Sequence, residues 1–187
     1  NAWDQRHGRT GYGIWLHGTP SRTYSRPPRD SNGCVIVSNQ DLNVLMPFIK
    51  TGHTPVIISE SIDWVSKQEW KKRRGNYELF VETWRKDWES RDVNLYLRHY
   101  STEYSGLGKD YNSWVEYKRR VNPSKKLIKV NISNTSMFLY PGEEQLMVVT
   151  FVQDYASDNF RKKFTKRQYW HMEDDGQWRI IYEGAAS

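Results

Sequence analysis

Five residues, Tyr77, Phe80, Val81, Trp84 and Trp88, recur at i, i+3, i+4, i+7 and i+11. That spacing lays them along one stripe of an α-helix, and four of the five are aromatic, so the stripe needs a wide apolar partner surface. Gly75 predicts a break between this helix and a shorter one before it that carries Trp64 and Trp70. Asp92 is placed to cap a turn of helix running through Leu95, Tyr96 and Tyr100. Residues 111–121 form a further helix with Trp114, Tyr117 and Val121 on one side, closed by Pro123. After Pro123 the period changes from helical to alternating. Residues 127–132 alternate, 136–140 run into a Pro141-Gly142 turn, and 145–155 and 164–172 are rich in β-formers. Asp174-Asp175-Gly176 then marks a hairpin before 178–183. Three helices followed by an antiparallel meander predict an α+β fold in which a curved sheet packs on the helices.

The first sixty residues read differently. Only Ile14 to Leu16, Val35 to Val37 and Val56 to Ile58 look like strands. Residues 20–33 are loop, stiffened by Pro27-Pro28 and turned by Asp30-Ser31-Asn32-Gly33. Ser38 opens a helix with Leu42, Leu45, Met46 and Ile49 on one face, and Gly52 and Pro55 end it. Three short strands cannot close a sheet around a core of their own. Since the chain also opens on Asn1, it reads as processed or truncated, with upstream strands expected. The predicted division is 1–60 and 61–187.

The one cysteine, Cys34, follows Ser31-Asn32-Gly33 and lies seventeen residues after His17 in His17-Gly18-Thr19. A single thiol forms no internal disulfide. It attacks carbon only as thiolate, and an imidazole in hydrogen-bond reach generates that form near neutral pH. The other histidines offer less: His7 and His53 fall in loop or turn sequence, and His99 and His171 belong to the second region. No HxxxH, HExxH or cysteine cluster predicts a metal, and no glycine-rich phosphate loop predicts a nucleotide, so no cofactor is expected. The net charge of +6 is scattered. Its clusters, Lys71 to Arg74, Lys118-Arg119-Arg120 and Arg161-Lys162-Lys163, read as solvated charge, as does Glu143-Glu144. No nucleic-acid motif accompanies them, so nucleic acid is not an expected partner. No run of eighteen apolar residues predicts a transmembrane helix, and no signal peptide is visible.

Gly13-Ile14-Trp15-Leu16-His17-Gly18-Thr19-Pro20, followed by Ser31-Asn32-Gly33-Cys34-Val35-Ile36-Val37-Ser38, resembles the active-site half of the YkuD family of L,D-transpeptidases. Gly52-His53-Thr54-Pro55-Val56-Ile57-Ile58 resembles that domain's closing strand. Residues 69–184 resemble the NTF2-like (SnoaL-like) superfamily in element order, in the Tyr- and Trp-rich first helix and in the closing Gly176-Gln177-Trp178-Arg179-Ile180 hairpin. Together the two halves resemble the cell-shape peptidoglycan L,D-carboxypeptidases and related transpeptidases of Gram-negative bacteria. The resemblance implies a partial, mostly-β YkuD-type catalytic domain followed by an NTF2-like cone. It also implies a periplasmic location and an acyl-enzyme on Cys34 formed with peptidoglycan stem peptides. His17 would be the base and the Gly18 carbonyl would orient it. Gly33, Asn32, Ser31 and Thr19 would line the oxyanion and substrate positions. Asn32 stands where many members have histidine and Ile36 where many have arginine or asparagine. The cone of such proteins allows a homodimer, and an open mouth would present Tyr155, Tyr169 or Trp170 to a ligand. The alternative reading is a non-catalytic NTF2-like module that recognises wall glycan, peptide or a protein partner.

Overall fold

The computed structural model describes residues 2–9, 11, 14–27, 29–50, 54–143 and 145–186. Asn1, Gly13, Pro28, Gly52, His53 and Glu144, named above, lie outside the described residues. The chain divides into two compact units, Asn1–Thr54 and Pro55–Ser187.

The second unit is the predicted curved antiparallel sheet on helices. Ser66 caps helix α3 (Lys67–Ser90; α1 and α2 lie in the first unit) by accepting from Glu69 N, and Arg91 closes it in the left-handed conformation. Gly75 does not break this helix. Arg73–Glu69 and Arg74–Glu78 ion pairs at i,i+4 flank it, and one interior glycine costs only about 1 kcal/mol. The aromatic stripe faces inward, with Val81, Trp84 and Trp88 buried and Tyr77 and Phe80 packed at the edge of the same cluster. Asp92 caps α4 (Val93–Leu97), accepting from Asn94 N and Leu95 N at 2.9 and 3.1 Å. Helix α5 (Tyr111–Ser124) takes Pro123 into its last turn.

Four strands, β5 (Ile128–Leu139), β6 (Leu146–Ser157), β7 (Phe160–Met172) and β8 (Trp178–Ala185), pair antiparallel in that order. The two strand segments predicted between 127 and 140 are one strand with an irregularity between Ser133 and Ser136, where Asn134 takes a positive φ of 52°. Residues 105–110 form the miniature hairpin β3 (Ser105–Gly106) and β4 (Lys109–Asp110). Leu107 and Gly108 both have positive φ there, the geometry of a tight two-residue turn. A Cβ on Gly106 would lie 2.5 Å from the Glu183 carbonyl oxygen, so glycine lets this hairpin approach the backbone of β8. Trp84, Tyr96, Val130, Phe151, Trp170 and Ile180 are buried between helices and sheet. Tyr169 and Trp170, expected at an open mouth, are 2% and 0% exposed, and Tyr155 stacks on Trp88 at 5.1 Å.

The first unit is thin. It holds α1 (Ala2–Arg6), two-residue strands β1 (Leu16–His17) and β2 (Val35–Ile36) paired in parallel, and α2 (Asn39–Leu45). Ser38 caps α2 through Asp41 N, and a 3-10 turn, Met46–Phe48, takes over at Pro47. The expected apolar face of α2 is not buried: Leu45 and Met46 are 39% and 56% exposed. Among its described residues only Thr19 is buried. Val56, Ile57 and Ile58, which follow Pro55 at the start of the second unit, form no strand and are exposed. An apolar run becomes a strand only where a neighbouring edge takes up its backbone groups.

Candidate active site

The pairing of β1 with β2 sets the backbone around the two candidate residues, His17 and Cys34. Leu16 lies opposite Val35 and His17 opposite Ile36, and the ladder continues through Val35 N to Trp15 O (2.9 Å) and Val37 N to His17 O (3.1 Å). Residues two apart in an extended chain share a face, so Cys34, two before Ile36, lies on the side of His17. His17 Nδ1 is 2.8 Å from the carbonyl oxygen of Gly18. A carbonyl only accepts, so Nδ1 donates, and in the neutral ring Nε2 is then the nitrogen that presents a lone pair. Gly18 is itself confined. A Cβ there would sit 2.0 Å from Asn39 Oδ1, while Asn39 Nδ2 donates to the Thr19 carbonyl at 3.0 Å. The start of α2 thereby braces the backbone immediately after the histidine.

The remaining expected site residues separate into two groups. Ser31 Oγ donates to the Cys34 carbonyl at 2.9 Å, and Thr19 Oγ1 donates to the Thr23 carbonyl at 2.5 Å. Both hydroxyls are spent on backbone and act as loop braces. Both residues also line a cavity of about 230 Å³ together with Cys34, Ile36, Arg26 and Arg29. Asn32 and Gly33 are exposed and absent from that lining, and Gly33 takes a positive φ of 98°. Cys34 itself is half-buried. Among the described residues no group of His, Cys, Asp and Glu is arranged to hold a metal ion, and no helix is long and apolar enough to cross a membrane.

A second polar cluster, which the reading by composition and charge missed, lies inside the other unit. Lys166 Nζ and Gln168 Nε2 both donate to Glu183 Oε2 at 3.1 Å, with Tyr100 OH at 3.3 Å. Tyr100 OH also meets Tyr96 OH at 2.5 Å and accepts from Trp84 Nε1 at 3.2 Å. Glu183 Oε1 has no hydrogen-bond partner among the described residues. Lys118, within a tract read as solvated, points inward, its Nζ 4.5 Å from the Trp88 and Trp114 rings and 4.8 Å from Tyr96. Burial pushes its amine down to about 7, opposed by Glu183 and reinforced by Lys166. Burial likewise raises the Tyr96, Tyr100 and Tyr104 phenols, with the Glu183 carboxylate adding to it. The signal that could have found these residues is positional: Lys118 lies four after Trp114, and Lys166 alternates with Gln168 and Trp170.

Two family models match the chain. Residues 77–184 match the Cds6 C-terminal NTF2-like domain, more than half of the chain. The chain belongs to that family. Residues 1–58 match the YkuD L,D-transpeptidase catalytic domain, so a segment of that domain precedes the NTF2-like one. No curated protein matches the chain. Among solved structures, Bd1075 of Bdellovibrio bacteriovorus is 34% identical over 100% of this chain and 65% of its own, with a TM-score of 0.83. The helical cell shape determining protein Pgp2 of Campylobacter jejuni is 23% identical over 98% of this chain and 65% of its own, with a TM-score of 0.71. An NTF2-like protein of Pseudomonas putida KT2440, 10% identical over 60% of this chain and 84% of its own, has a TM-score of 0.52 and shares the fold alone. The chain thus spans about two thirds of the length of the two-part structures it resembles, just under that share in each case.

Proposed function

We propose that this chain carries the nucleophile-bearing part of a cysteine L,D-transpeptidase or L,D-carboxypeptidase that acts on peptidoglycan stem peptides in the periplasm. The observation that carries the reading is the His17 Nδ1–Gly18 carbonyl bond, which fixes the tautomer with Nε2 free to take a proton, on the face where the β1–β2 register places Cys34. In the reaction His17 Nε2 removes the thiol proton and the Cys34 thiolate adds to the peptide carbonyl. The tetrahedral oxyanion collapses, the C–N bond breaks, and the imidazolium gives its proton to the leaving amine. The thioester then passes to water, giving a shortened peptide, or to an amine, giving a crosslink, and the thiol is restored. The match to the YkuD domain supports this chemistry, and the likeness to a cell shape determining protein supports a wall substrate.

The test compares wild type with Cys34→Ala in the full-length protein on purified muropeptides. The expected result is loss of trimming and crosslinking by at least about 10⁴-fold, with an unchanged circular dichroism spectrum. Equal turnover by the two proteins would remove Cys34 from the mechanism.

A second role rests on a different observation. The lone oxygen of buried Glu183 and the caged Lys118 give the cone interior polar groups beyond what packing needs, as a recognition module for wall peptide or glycan would have. The cleft beside it, lined by Tyr100, Tyr111, Thr102 and Arg119, reaches Tyr100 of that same network.

A further inference from the structure

The cavity that Cys34 lines has an unbalanced charge. Its described lining includes two cations, Arg26 and Arg29, and one anion, Asp30. Arg26 Nε is paired with Asp30 Oδ2 at 2.9 Å, which leaves Arg29 as the surplus positive charge. Arg29 is also held in the left-handed backbone region, at φ 64°, where a residue with a Cβ is disfavoured. Such outliers concentrate at ligand-binding positions, and here one carries a planar, permanently charged fork suited to carboxylate. Apart from Cys34, the rest of the described lining is polar-neutral or apolar and offers no competing charge.

Size sets how far from the reacting bond that charge acts. A sphere of the cavity's 230 Å³ is roughly 8 Å across, about two residues of extended chain at ~3.5 Å each. A peptide with its scissile carbonyl at Cys34 therefore brings only its nearest neighbours within reach of Arg29. Resting on the acyl-transfer reading above, we infer that Arg29 is the specificity-determining residue of this site, pairing with a substrate carboxylate carried within one residue of the scissile bond. That carboxylate is either the free C-terminus of the leaving residue or the side-chain acid of the acyl-donor residue.

Full-length protein is assayed on synthetic stem peptides in two arms, one with the C-terminal acid replaced by its amide and one with the donor side-chain acid so replaced. The variants are Arg29→Gly, which suits a positive φ and removes the guanidinium without strain, and Arg29→Lys, which keeps a charge without the fork. Wild type is expected to lose kcat/KM by about ten- to hundredfold, mainly through KM, on amidation in one arm, and that arm identifies the carboxylate. Arg29→Gly should show the same loss on the acid peptide and no further loss on its amide, with Arg29→Lys between. Alkylation of Cys34 by iodoacetamide at the wild-type rate checks that the site stays intact in each variant. Arg29→Gly that keeps the acid-over-amide preference, or wild type with no preference in either arm, overturns the assignment while leaving the acyl-transfer reading standing. If wild type turns over no peptide and forms no acyl adduct, that reading fails and the assignment falls with it.

Discussion

The two units are held by opposite means. The second buries a continuous aromatic cluster, with Trp84 and Trp170 fully enclosed, so its geometry is fixed by side-chain packing. The first buries only Thr19 among its described residues, and the geometry around His17 and Cys34 is set by backbone pairing and short polar braces. Dense packing tolerates little change in volume, whereas a braced loop tolerates little change in hydrogen bonding. The lesson is that the chemistry proposed here lies on the less consolidated of the two units, and each unit has its own characteristic weak point.

The largest stability effect should therefore come from volume, in the second unit. Trp84 packs against Trp88, Tyr96 and Phe151 at ring separations of 5.4, 6.5 and 5.9 Å. Its indole N–H also donates to Tyr100 OH. Trp84→Ala removes all of these contacts and leaves a cavity, at an expected cost of about 3–5 kcal/mol. Urea unfolding followed by tryptophan fluorescence measures it. A loss below 1 kcal/mol would mean that the cluster relaxes freely and that the contrast between the units is overstated.

What could be read from the sequence follows the same contrast. The stripe from Tyr77 to Trp88, the Asp92 cap and the Asp174-Asp175-Gly176 turn were legible because each is a local rule that the tertiary structure also obeys. The YkuD-type segment was legible for a different reason, as rare residue types at a set spacing. The continuous helix through Gly75 was not, since the packed stripe from Tyr77 to Trp88 holds the helix as a whole and a single interior glycine costs only about 1 kcal/mol. Val56 to Ile58 looked like a strand from composition, but strand formation depends on a partner edge that composition cannot reveal. The inward charges Lys118, Lys166 and Glu183 were missed because reading by hydropathy sends every charge to solvent. Arg29, the residue of the proposal, is set apart by its backbone conformation and not by its residue type.

A smaller effect tests the buried charge. Folding holds the Lys118 amine at about 7 against an ordinary lysine value of 10.5. Between those values the unfolded chain binds a proton that the folded chain does not, so stability rises with pH across that interval, by up to about 1.4 kcal/mol per pH unit. Below about 7 the full penalty is present. Above the ordinary tyrosine value of 10.0 the buried phenols reverse the trend, because their raised folded values mean that the unfolded chain loses protons first. Lys118→Met should flatten the rise and stabilise the protein by about 1–3 kcal/mol at pH 6, measured by urea midpoints at pH 6, 8 and 9.5. The three ring faces and Glu183 favour the cation. If they prevail, wild type shows no rise and the variant is less stable at pH 6, and the cone interior is built to hold a positive charge.

The smallest change probes the braced unit, where one methyl group should be felt in activity and hardly at all in stability. The Cβ introduced by Gly18→Ala lies 2.0 Å from Asn39 Oδ1 and 3.2 Å from its Cγ, so the Asn39 amide must rotate and give up its 3.0 Å bond to the Thr19 carbonyl. Losing one such bond costs about 1 kcal/mol, and the backbone it braces includes the Gly18 carbonyl that orients His17. A similar loss expressed in the transition state lowers kcat about fivefold to tenfold. Asn39→Ala removes the same bond without adding a methyl group, so its kcat should fall by a comparable factor. The double variant should fall no further than either single one, because both act through one contact. Additive losses would show that Gly18 and Asn39 act on the site separately, and that the histidine is oriented by something other than this brace.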